Sequence, residues 1–75
     1  MDVKETPVAQ PQPHQQRVVD KLAELETKRI NLGKFIGSNP TFLTLSPLDQ
    51  SLLTRQHGIM LEYEAVLAAR IANFK

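Results

Sequence analysis

Seventy-five residues carrying 9 basic and 8 acidic side chains give a net charge of +1, with no cysteine. The length allows one small domain, the missing cysteine excludes disulfides and thiolate metal sites, and the even charge balance argues against a duplex nucleic-acid binder. A single core in a chain below roughly 70–80 residues rarely supplies more than about 3–5 kcal/mol. With only His14 and His57 to offer imidazole, a zinc site would need carboxylate help. No metal or cofactor is expected, and self-association is the remaining source of stability. No apolar run reaches the ~20 residues of a membrane span. No apolar segment near the N-terminus suggests a secretory signal.

Residues 1–13 contain Pro7, Pro11 and Pro13 among Gln, Thr and charges. Prolines so spaced remove donors and oppose helix, and little here can be buried. A disordered Pro/Gln-rich tail is expected, followed by a helical domain over residues 14–75.

The first helix is expected from His14 or Gln15 to Ile36. Val18, Leu22, Leu25, Leu32 and Ile36 recur at alternating four- and three-residue spacing, one stripe of a helix. Val19 and Phe35 widen it, and Arg29 interrupts it. Gly33 costs about 1 kcal/mol against Ala in a helix, so it marks either close approach of another helix or fraying. Gly37 suits a left-handed residue just past a helix end, and Pro40 prevents continuation. Asn39 before Pro40 can cap one helical turn, with Phe42 and Leu45 placed to plug the end of a hairpin.

The second helix has a clear start. Ser46-Pro47-Leu48-Asp49 offers a hydroxyl cap, a proline in the first turn and a carboxylate near the positive end of the dipole. Its stripe is read as Leu53, Gln56, Met60, Tyr63, Leu67, Arg70 and Phe74, broadened by Leu52, Ile59, Val66 and Ile71. A mean repeat of about 3.5 residues is that of coiled-coil-like packing. The fold expected is all-α: an antiparallel two-helix hairpin with a short helical turn, oligomerising through its apolar face. The turn then sets Ile36 near Leu48 or Leu52, Arg29 near Gln56, Leu22 near Tyr63 and Val18 near Leu67. Arg70 falls opposite Gln15 or His14. Hairpin and oligomer contacts are expected from Val18, Leu25, Leu32, Ile36, Leu53, Gln56, Met60, Leu67 and Ile71.

No Gly-rich phosphate loop, metal-ligand pair or nucleophile–base–acid set stands in the chain, and an enzyme is not expected. The polar residues in the stripes are the better lead, because a buried polar group must find a partner. In one reading they set register, reach solvent or pair with Glu24, Glu26 or Glu62. In the other, Arg17, Lys28 and Arg70 line a junction between copies and hold phosphate, with Tyr63 and Phe74 stacking on a base.

The segments Arg17-Val18-Val19-Asp20, Glu24-Leu25, Lys28, Leu32 and Phe35-Ile36 resemble the first half of a family of short phage and prophage helical-hairpin proteins. Phe42, Leu45, Leu52-Leu53, Gln56, Met60, Tyr63, Leu67, Arg70-Ile71 and Phe74 resemble its second half. The resemblance covers about residues 15–74. It departs at Leu22, where a basic residue is expected, and at Arg29, where an apolar one is. The architecture is also similar to the hairpin sponges that phages use against CBASS and Thoeris immunity. That resemblance implies a phage-encoded accessory protein in the host cytoplasm, a homo-oligomer that counters host defence by sequestering a signalling cyclic nucleotide between subunits. The alternative is an interaction module whose apolar helical face docks on a host or phage protein. A structural element of the virion ranks below both.

Overall fold

The computed structural model describes residues 12–74. Three helices follow one another: α1 (Pro13–Ser38), α2 (Pro40–Thr44) and α3 (Pro47–Ala72). The two long helices lie against each other, and α2 caps the end where the chain reverses. The expectation of a tail falls largely on residues 1–11, outside the described residues.

Each boundary has a local cause. Pro13 opens α1 one or two residues earlier than expected, since a first-turn proline gives up a donor that no helix would use. The Gln12 N–H donates to Gln15 Oε1 at 2.9 Å, and the Gln12 carbonyl accepts from Gln16 N at 2.8 Å. At the far end α1 runs through Gly37 to Ser38, and Gly37 keeps negative φ. The expected left-handed glycine cap is therefore absent. Pro40 ends the helix by excluding the helical conformation at Asn39, which sits at φ −89° and ψ 120°. The Asn39 side chain then accepts from Thr41 N at 2.9 Å and starts α2.

Phe42 is buried under the turn, its ring edge-on to Phe35 with centroids 6.0 Å apart. Leu45 is half-buried beside it, while Leu43 is exposed. The Gln50 amide donates to the Leu45 carbonyl at 3.0 Å, tying the turn to α3. Ser46 Oγ accepts from Asp49 N at 3.1 Å, the cap its sequence announces. Each long helix has 26 residues, a rod of about 39 Å.

The core is thin. Val18, Leu25 and Leu67 form its buried cluster, with Leu22, Met60, Ile71 and Phe74 packed around them. Among the described residues Leu67 alone is completely enclosed, at 1% exposure. Full burial of a leucine is worth about 1.5–3 kcal/mol, so this interior leaves the hairpin only marginal stability.

Candidate functional site

Burial along α3 identifies the residues that meet α1. Leu53, His57, Met60, Glu64, Leu67, Ile71 and Phe74 are buried or half-buried, whereas Gln56, Tyr63 and Arg70 are exposed. The expected stripe is thus corrected at three of its positions. Both series alternate three- and four-residue steps from Leu53, and spacing cannot choose between them. The partner does: α1 presents Arg29 in its own seam, and Glu64 answers it.

Arg29 Nε donates to Glu64 Oε2 at 2.8 Å, and a second guanidinium nitrogen donates to Oε1 at 3.1 Å. This two-pronged geometry matches guanidinium to carboxylate. The bonds from Arg29 hold the Glu64 carboxyl below the usual carboxylate range, against a desolvation that acts the other way. The same bonds raise Arg29. Arg29 therefore pairs two turns further along α3 than the expected Gln56. Gly33 lies against His57, where an added Cβ would stand 3.0 Å from Nε2. The antiparallel register is accordingly displaced at Arg29 from the expected pairing, while Val18 and Leu67 share one buried cluster as expected. Gly33 marks close approach and not fraying.

The displaced seam leaves a second row on α3. Leu52, Ile59, Tyr63 and Val66 stand 49%, 56%, 43% and 55% exposed, with Asp49, Gln56 and Arg70 exposed between and beyond them. Each follows the last by three or four residues, so all seven share one stripe. A shallow groove of about 520 Å³ lies on it, lined by Leu52, Arg55, Gln56, Ile59 and Met60.

The α1 row beside it is charged. Arg17, Lys21, Glu24 and Lys28 are exposed and stand one position before Val18, Leu22, Leu25 and Arg29 of the seam. Tyr63 and Arg70 stand one position before Glu64 and Ile71. In an antiparallel pair the positions that precede the seam on the two helices fall on the same side. The hairpin thus brings Arg17, Lys28, Arg70 and Tyr63 to one face. Phe74 differs, because its ring packs on the hydrophobic cluster. Among the expected contact residues, Val18, Leu25, Leu67, Met60 and Ile71 form or line the core. Leu32, Ile36 and Leu53 are half-buried, and Gln56 is exposed. The sequence reading missed Glu64 and His57. The available signal was Arg29 itself, a cation in a seam that demands an acid on the facing helix.

A further hollow of about 560 Å³ lies at the turn, between Asn31, Lys34, Phe35, Ser38, Asn39 and Pro40. No group of three or more His, Asp or Glu side chains among the described residues could hold a metal ion. No helix among them is long and apolar enough to cross a membrane.

These features define a small helical-hairpin protein with an apolar row and a charged row on one exposed face. The Sequestin family model matches residues 12–73, nearly the whole described hairpin, and the chain belongs to that family. The family name is compatible with a sequestering role, one of binding and not of catalysis. No curated protein and no solved structure matches the chain.

Proposed function

We propose that the chain is a non-enzymatic binder, a phage-encoded accessory protein that counters host defence in the host cytoplasm. It sequesters a signalling cyclic nucleotide at junctions between copies of itself. The observation that carries this reading is the single face bearing Arg17, Lys28, Arg70 and Tyr63, in a chain of the Sequestin family. Guanidinium and ammonium groups bind phosphate, and an exposed phenol ring offers a surface to a base. Arg17, Lys28 and Arg70 take the phosphates. Tyr63 stacks on a base, while Phe74, packed on the hydrophobic cluster, borders the site at the open end of the hairpin. The exposed apolar row on the same face supplies contacts between copies, which a core of this size calls for.

Native mass spectrometry of the full chain with a panel of cyclic di- and trinucleotides tests the reading. An oligomer that gains nucleotide mass in a fixed ratio is the expected result. An oligomer that binds none of the panel sets it aside in favour of a protein target for the apolar face. Arg70→Ala should weaken the bound complex while leaving helical circular dichroism unchanged, and unchanged affinity removes Arg70 from the site.

A further inference from the structure

The exposed row on α3 has a property that its apolar content alone does not require. In chain order it reads Asp49, Leu52, Gln56, Ile59, Tyr63, Val66, Arg70. Reversed and laid against itself, it sets Asp49 beside Arg70, Leu52 beside Val66 and Gln56 beside Tyr63. Ile59 then faces its own copy at the centre. Every level is chemically matched: acid with base at both ends, aliphatic with aliphatic inside them, an amide with a phenol hydroxyl, and isoleucine on the axis.

We infer that this face binds a second copy of the chain, α3 against α3 in antiparallel sense, about a two-fold axis at Ile59. A two-fold interface must be self-complementary in this way. A helix that carries two 3.5-residue rows, one sealed against its own hairpin and one open, is patterned for two neighbours. Gln56 and Tyr63 are polar interruptions with no assigned purpose inside the hairpin. Across the axis the Gln56 amide reaches the partner's Tyr63 hydroxyl, beside the groove lined by Leu52, Gln56 and Ile59. Covering Leu52, Ile59, Tyr63 and Val66 on two copies, with their margins, removes on the order of 1,000 Å² from water, the lower bound of a specific interface. The α1 rows with Arg17, Lys21 and Lys28 then border the junction from both copies, so an anion held at its margin is reached by side chains of each. The inference rests on the reading that copies associate and does not rest on the nucleotide: the Asp49–Arg70 pairing is that of the nucleotide-free dimer.

The chain has no cysteine, so crosslinking of the full protein carries no background. Ile59→Cys places two thiols on the axis, and Thr27→Cys places them on the side of α1 opposite the seam. Under mild oxidation I59C should convert to a covalent dimer while T27C stays monomeric. Sedimentation of I59E should show the dimer dissociation constant raised by at least about thirtyfold, as for loss of a central contact, with helical circular dichroism retained. Asp49→Arg and Arg70→Asp should each weaken the dimer, and the double exchange should restore it. A wild-type monomer overturns both this inference and the association on which the proposed function draws. A wild-type oligomer in which I59C fails to crosslink and I59E still assembles overturns this interface alone. Equal crosslinking of I59C and T27C overturns it as well.

Discussion

Arg29 and Glu64 decide how the two long helices meet. An arginine in an apolar seam is costly unless a carboxylate reaches it, and removing either partner strands the other. The pair therefore opposes registers that leave them apart. Its contribution also depends on pH with a definite sign. The folded carboxyl of Glu64 is lowered from an ordinary value of 4.5, so the stabilisation is full above that value. It is lost as pH falls through the lower folded value. Thermal melts from neutral to acid pH should show a falling midpoint, and Glu64→Gln should start lower at neutral pH and fall less steeply. An identical slope in the variant assigns the acid sensitivity to other groups. Gly33 acts in the same seam by steric means. Its missing Cβ leaves room for His57, where a methyl would come within 3.0 Å of Nε2.

At the scale of elements, the helices are held by their ends as much as by their faces. Asn39 closes α1 and opens α2, and Ser46 opens α3 through the Asp49 N–H. The turn between them buries Phe42 against Phe35 and is fixed by the Gln50 amide. Ser46→Ala should cost about 1 kcal/mol, the usual worth of a hydroxyl cap, read as a lower denaturation midpoint with unchanged slope. An unchanged midpoint means that Pro47 and Asp49 start the helix unaided. These boundaries were legible in the sequence because capping is local, each signal lying within a few residues of the backbone it satisfies. Gly37 was misread for an informative reason. A glycine near a helix end permits a left-handed cap but does not demand one, and Pro40 supplied the stop further on.

For the whole molecule, the thin interior around Leu67 sets the behaviour. A hairpin with so little enclosed surface gains stability from anything that binds only its folded form. If copies associate through α3, the melting midpoint should climb with protein concentration, and I59E should melt at one temperature across the same range. A concentration-independent midpoint in the wild type, with high stability, would place the missing stabilisation inside the single hairpin.

The sequence by itself determined the helices, the Asn39 and Ser46 caps, the short α2 and the reversal between them. It also placed Arg17 and Lys28 on one row of α1. Periodicity, proline and capping chemistry act over one or two turns, so they can be read from one chain. Which stripe of α3 turns inward was decided only by the tertiary structure. Leu53-Gln56-Met60-Tyr63 and Leu53-His57-Met60-Glu64 have the same spacing statistics, and a loop of a few residues does not fix the sliding of two rods. The choice fell to a long-range pair, Arg29 with Glu64, and to the fit of His57 at Gly33. That choice turned Tyr63 and Arg70 outward, onto the face that Arg17 and Lys28 share.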